Sequence, residues 1–516
     1  MRVPLLVNDF LDRAESVFGD RVGVVDEPDV SDNLGSLTYA EVARRVRALQ
    51  CGLDELGVDA GERIAVVSPN AARLLELFYA VPGSGRILVP INFRLRAEEV
   101  DYIVEHSGAS VLLVDPQLEE LATVTAKHRL LLGAESDQAL LRFDREPRAW
   151  ADADEDATAT INYTSGTTAR PKGVQITHRN IWTNSVTFGL HAGVSDWDVY
   201  LHTLPMFHAN GWGMLYTAAA MGAPQIVLRK VDGGEILRRV GQHGVTYMCA
   251  APAVVNAVLD AGKQWDKDHA GAPVPGAGRV ARVICAGAPP PSKTIERIET
   301  ELGWEFIQIY GLTETSPLLT INRRRREWAD LPTGEAAQKL VRAGAPAVGV
   351  RLQISGAGEV LARSNVVLEG YWQQPDVTAD ALEGGWFHTG DGGSIDDEGY
   401  LTISDRKKDV IITGGENVSS IEVEDCIYAL DGVAECAVIG VPDDRWGETI
   451  KAIVVAAPGA SLDEEAVIAH CKQRIAGFKA PTSVDFVETI PRTATGKVQK
   501  FKLREPYWSG RDRQVN

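Results

Sequence analysis

Short β-branched apolar runs alternate with amphipathic stretches from the N-terminus to about residue 400, and that rhythm leaves few folds open. Arg63–Ser68, Arg86–Ile91, Ser110–Asp115, Gln225–Arg229, Thr246–Ala250, Arg282–Ala286 and Phe306–Ile309 are short and bounded by Gly, Pro, Asn or Asp. Each reads as a strand. Tyr39–Leu56 and Gly234–Gln242 carry apolar residues at helical spacing. The alternation predicts parallel α/β layers with helices on the faces. Ligand loops then belong at the carboxyl ends of strands.

A smaller unit begins near Asp405-Arg406-Lys407-Lys408-Asp409. Its pattern is hairpin, helix (Ser419–Leu430), strand (Ala434–Gly440), strand (Thr449–Ala456), helix (Asp463–Ala476), strand. That is a compact α+β domain of about 110 residues. The expected division is 1–405 and 406–516, since 516 residues exceed one simple core.

The formal charge of −19 argues against general binding to nucleic acid or an anionic membrane. An anionic ligand must therefore be held by local positive groups. No stretch approaches the ~20 apolar residues of a membrane span. The N-terminus turns acidic too early for a signal peptide, and Arg513–Asn516 matches no address signal. Six scattered cysteines without a C-x-x-C pair favour reduced thiols, hence the cytoplasm. The run Arg323-Arg324-Arg325-Arg326 reads as a solvated loop.

Chemistry concentrates in a few segments. Tyr163-Thr164-Ser165-Gly166-Thr167-Thr168-Ala169-Arg170-Pro171-Lys172-Gly173 follows an apolar stretch. Its glycines let backbone N–H groups approach an anion, its hydroxyls add donors, and Lys172 supplies a point charge. The spacing is not that of a Walker A loop. Tyr310-Gly311-Leu312-Thr313-Glu314-Thr315 offers one carboxylate, as Mg²⁺ prefers beside phosphate oxygens. In order along the chain come Pro205–Gly213 with His208 and Trp212, Ala286-Gly287-Ala288-Pro289-Pro290-Pro291, Trp386–Asp391, Gly414-Gly415-Glu416-Asn417 and Pro491–Lys497. Any one of these could be an ordinary turn; the whole string in this order is far more specific.

The string resembles the adenylate-forming superfamily of acyl- and aryl-CoA ligases, luciferases and peptide-synthetase adenylation domains. The resemblance implies an α/β fold: a large N-terminal domain of layered α/β subdomains and a small mobile α+β C-terminal domain. It implies that Thr164, Ser165, Gly166, Thr167, Thr168 and Lys172 grip the ATP phosphates. Gly287, Ala288, Tyr310 and Gly311 would line adenine, Thr313 would contact the α-phosphate, and Glu314 would bind Mg²⁺. Asp391 would hold the ribose, and Arg406 would contact the ribose or phosphate. His208, Trp212 and Gly287 would wall the acyl pocket. Lys408 would be the hinge, and Gly414, Gly415, Glu416 and Asn417 would admit coenzyme A. Lys497 would be the catalytic lysine, a cation at pH 7 placed where carboxylate meets α-phosphate.

The implied reaction joins a carboxylic acid to CoA at the expense of ATP, the acid being a short- or medium-chain fatty acid or an aryl acid. A fatty-acyl-AMP ligase serving a carrier protein and a silent nucleotide- or acyl-binding regulator are the alternatives. The resemblance also implies that an acetyltransferase and deacetylase could act on Lys497. A homodimer is the assembly commonest among soluble enzymes.

Overall fold

The computed structural model describes the chain except residues 125, 165–170, 270–271, 279, 288–289, 407–408, 414–415, 444, 493–497 and 510–516, and the side chains of Asp266, Asp405, Arg406 and Asn417. A large N-terminal domain and a smaller C-terminal domain build four sheets among the described residues. Two sheets dominate the large domain. In one, Ile87–Ile91 lies between Arg63–Val67 and Thr158–Thr164, parallel to both. Every residue of Ile87–Ile91 is buried, as a strand covered on both faces requires. The other sheet runs in parallel from Gln225–Val227 through Tyr200–His202, Tyr247–Ala250 and Arg282–Cys285 to Glu305–Gly311.

Helices cover these layers, as the alternation anticipates. Tyr39–Glu55 opens with a capping box: Thr38 accepts from Glu41 N–H, and Glu41 answers at Thr38 N–H. Gly233–His243 is capped by Asp232 and ends at Gly244 in the left-handed region.

The all-parallel expectation needs correcting in two places. Lys172–Thr177 pairs antiparallel with Thr158–Thr164, and Leu318–Arg323 with Glu305–Gly311. The Thr164–Lys172 connection is too short for a crossover, which needs a dozen or more residues. A four-stranded antiparallel sheet also forms from Arg351–Ile354, Glu359–Arg363, Phe387–Ile395 and Leu401–Arg406.

The arginine run is not wholly solvated. Arg324 lies 2.7 Å from Glu299, both side chains under one-tenth exposed, and Arg323 reaches Glu305 at 2.9 Å. Only Arg325 and Arg326 stand in solvent. The six cysteines are buried and unlinked. No described helix is long and apolar enough to cross a membrane.

In the smaller domain Val433–Asp443 and Gly447–Ala456 form a long hairpin that packs on Ser420–Tyr428 and Glu464–Arg474. A closing helix, Lys500–Trp508, was not anticipated. The domains touch at Asp425, whose Oδ1 accepts from Ser292 N–H at 2.9 Å and Oγ–H at 3.1 Å.

Candidate active site

Thr164 is the last residue of Thr158–Thr164, and Lys172 opens the antiparallel partner directly opposite it. Both are half-buried at the mouth of the connecting loop. Ser165, Gly166, Thr167 and Thr168 lie outside the described residues. The Lys172 ammonium sits 5.2 Å from the centroid of the Tyr371 ring. The hydroxyl of Tyr371 donates to Glu314 Oε1 at 3.1 Å. Burial and the Glu314 charge push the Tyr371 hydroxyl well up, so it remains a donor at neutral pH.

Glu314 and Thr313 occupy the tight turn Thr313–Thr315 that follows Glu305–Gly311. That turn is rigidly held. Thr315 Oγ1 donates to Pro317 O at 2.6 Å, and Glu314 O accepts from Leu368 N–H at 2.8 Å. Gly311 is obligatory, because a Cβ there would stand 1.5 Å from Pro317 O. One residue earlier, the Tyr310 hydroxyl donates to Asp391 Oδ2 at 2.8 Å. Asp391 in turn lies opposite Arg406 in the ladder of Phe387–Ile395 with Leu401–Arg406. Three sheets thus deliver Thr164, Lys172, Glu314, Tyr310 and Asp391 to one place.

The segment after His208 has an unusual backbone. Ala209, Asn210, Gly211, Trp212 and Gly213 have φ of 39°, 49°, 56°, 57° and 77°, a left-handed helical turn. L-residues incur roughly 1–2 kcal/mol each in that conformation. All five are buried, while His208 is half-buried beside them. Asparagines from three elements hold the segment. Asn70 Oδ1 accepts from Met206 N–H at 2.8 Å, Asn162 Nδ2 donates to Phe207 O at 3.0 Å, and Asn184 Nδ2 donates to Trp212 O at 3.3 Å. Such outliers persist only where the surroundings over-determine them.

A family model described as "AMP-binding enzyme" matches residues 11–372, and one described as "AMP-binding enzyme C-terminal domain" matches 422–497. The chain belongs to the AMP-binding enzyme family. It is 36% identical to the 2-methylpropanoate–CoA ligase of Humulus lupulus, over 97% of this chain and 95% of that one. It is 36% identical to a feruloyl-CoA synthase of Amycolatopsis sp, over 92% and 94%. ATP-bound MatB from Rhodopseudomonas palustris is similar in structure at a TM-score of 0.82 and 28% identity, over 97% and 99%.

In this AMP-binding enzyme Gly287 is exposed just beyond Arg282–Cys285, with φ of 93°. Glu416 is exposed on its hairpin. Ala288, Lys408, Gly414, Gly415 and Lys497, with the side chains of Arg406 and Asn417, fall outside the described residues. Among the described residues no group of three or more His, Cys, Asp and Glu could hold a metal.

Sequence reading missed Tyr371, Asn162, Asn184, Asn210 and Asn70. Tyr371 stands 57 residues from Glu314 in the chain, and Gly370-Tyr371-Trp372 carries no charge to advertise chemistry. The polar positions Thr158, Thr160, Asn162 and Thr164 alternating along one strand were the one available signal for Asn162.

Proposed function

We propose that this AMP-binding enzyme is an ATP-dependent, AMP-forming acid–thiol ligase that makes acyl-CoA. The observation that carries the reading is Tyr371, which brings the Lys172 cation and the Glu314 carboxylate to one ring beside the mouth of the hydroxyl-rich loop. A cation and a carboxylate so placed suit a metal-bound triphosphate, with Tyr310 and Asp391 suited to the nucleoside.

In the first half-reaction an oxygen of the acid attacks the ATP α-phosphorus, the α–β bridging bond breaks, and pyrophosphate leaves. Lys172, Thr164 and the loop they flank would hold the leaving phosphates in line, and Thr313 would contact the α-phosphate. Glu314 would hold Mg²⁺, which when bound neutralises charge on the phosphate oxygens. Lys497, in a segment that matches the family's C-terminal model, would place the carboxylate oxygen. In the second half-reaction the CoA thiolate attacks the acyl carbon, and AMP leaves with the bonding pair.

Residues 406–516 would turn about Lys408 between the two steps and present Gly414, Gly415, Glu416 and Asn417 to the pantetheine arm. His208, Trp212 and Gly287 would wall the acyl pocket. Relatives acting on 2-methylpropanoate and feruloyl acids favour a short aliphatic or an aryl acid. A cytoplasmic location, a homodimer and acetylation of Lys497 complete the reading.

The test is formation of AMP and thioester from ATP, Mg²⁺ and a panel of short, long and aryl acids, with and without CoA. Acyl-CoA from one class of acid is expected. Acyl-AMP that accumulates untouched by CoA would move the chain to the carrier-protein ligases. Lys497→Ala should lower adenylation at least a hundredfold with nucleotide binding kept; normal turnover would sink the mechanism.

A further inference from the structure

Thr160, Asn162 and Thr164 share one face of Thr158–Thr164, because side chains alternate along a strand. Thr164 opens the phosphate loop. The two residues before it on that face do something else. Asn210 Nδ2 donates to Thr160 Oγ1 at 3.0 Å, Thr160 Oγ1 donates to Asn162 Oδ1 at 2.8 Å, and Asn162 Nδ2 donates to Asn210 Oδ1 at 3.3 Å. The three side chains close a ring in which each donates and each accepts. They are 0%, 2% and 3% exposed. The second Asn162 amide proton goes to Phe207 O, which precedes His208.

The ring therefore anchors the left-handed turn Ala209–Gly213 to the strand that ends in the nucleotide loop. The two partners are held by different means. Thr158–Thr164 lies in a ladder, with Thr160 beside Leu88 on one flank and Ile176 on the other, and Asn162 beside Val174. The turn has no ladder. Beside short-range backbone bonds such as Gly211 N–H to His208 O, it is held by side chains: Asn162 and Asn184, Thr217 Oγ1 donating to Gly213 O at 3.1 Å, and the bare Gly213, where a Cβ would meet Asn184 Nδ2 at 2.4 Å.

We propose that Thr160, Asn162 and Asn210 are positioning residues for the acid: they fix the left-handed turn so that His208 and Trp212 form a pocket wall of set depth. This rests on the ligase reading and deepens it. Breaking the ring should let the turn relax while the ladder keeps Thr164 and Lys172 where they are. Acid recognition should suffer and ATP recognition should not.

Thr160→Val is the decisive variant, because it removes the hydroxyl at nearly constant shape and leaves Asn210 Nδ2 without its acceptor. Thr160→Ser restores the hydroxyl. Asn210→Gly removes the ring while tolerating positive φ, and it carries the comparison if Thr160→Val does not fold. Kinetics of the full chain with the best acid of the panel should show KM for the acid at least tenfold higher in Thr160→Val and Asn210→Gly. KM for ATP should stay within twofold, and longer or bulkier acids should be accepted more evenly. Thr160→Ser should return to within twofold of the parent. An unchanged KM for the acid, or equal rises in both KM values, would overturn the proposal while leaving the ligase reading intact. A parent enzyme that adenylates no acid would overturn both.

Discussion

Tyr371 shows how one side chain can serve two charged neighbours without itself ionising. Its hydroxyl bonds Glu314 and its ring faces Lys172, so each function can be removed separately. Tyr371→Phe keeps the ring and loses the donor. At limiting Mg²⁺ the KM for ATP should rise at least about tenfold, a loss of about 1.5 kcal/mol, the low end for one hydrogen bond to a charged group. Tyr371→Leu should lose more, because the cation–π contact goes too. Equal behaviour of the two variants would show that the ring does nothing for Lys172, and a parental KM in Tyr371→Phe would show that the hydroxyl does nothing. Gly311→Ala is a harsher change, since no rearrangement of a side chain clears Pro317 O. It should cost at least about 4 kcal/mol or prevent folding, read by thermal melting. At this scale the motif residues were legible: Thr164, Lys172, Tyr310, Glu314 and Asp391 stand in distinctive runs and do converge. Tyr371 and Asn210 were not, because their meaning depends on partners far away in the chain.

Several buried strands of the large domain were read within a residue or two, while the buried Tyr200–His202 and Leu318–Arg323 were not read at all. Arg63–Val67, Ala109–Val114 and Tyr247–Ala250 are apolar on both faces, so their sequence alone marks them. The sheet from Arg351 to Arg406 escaped because Arg351–Ile354 is only partly covered, the buried Glu359–Arg363 begins and ends on charged residues, and Phe387–Ile395 is cut by Gly, Ser and Asp. Two histidines give the core a pH signature. Burial lowers His178 and His202 to about 4. His178 Nδ1 accepts from Val7 N–H, and His202 Nδ1 is buried with no partner, so neither can welcome a proton there. The unfolded chain binds these protons near pH 6.5 and the folded chain only near 4. Their stabilising effect is therefore complete above pH 6.5 and drains away as pH falls toward 4. At pH 5 each should have cost about 2 kcal/mol. His202→Gln, which can still donate to Gln225, should flatten the fall in melting temperature between pH 7 and 5. An unaltered slope would refute the assignment.

At the scale of the whole molecule, a chain of charge −19 must bind polyphosphate against its own field. On the proposed reading local cations such as Lys172 do this, so binding should depend less on salt than in a protein with a broad basic surface. The two domains each own a core, and Asp425 ties them at Ser292. Asp425→Ala should free the smaller domain and speed tryptic cleavage in Arg406-Lys407-Lys408 several-fold. Cleavage at the parent rate would mean the bond holds nothing. The existence of a second domain was legible from its own strand–helix pattern; its contact with Ser292 was not, because one carboxylate on a helix surface looks like any other.

The left-handed turn and the nucleotide strand differ in what a substitution can reach. Ladder bonds run between backbones and survive almost any change of side chain. The bonds that hold Ala209–Gly213 are carried by asparagine amides and a threonine hydroxyl, which a single codon change can erase. Under the proposed pocket reading, descendants of such a chain would drift toward new acids in small steps and inherit the grip on ATP.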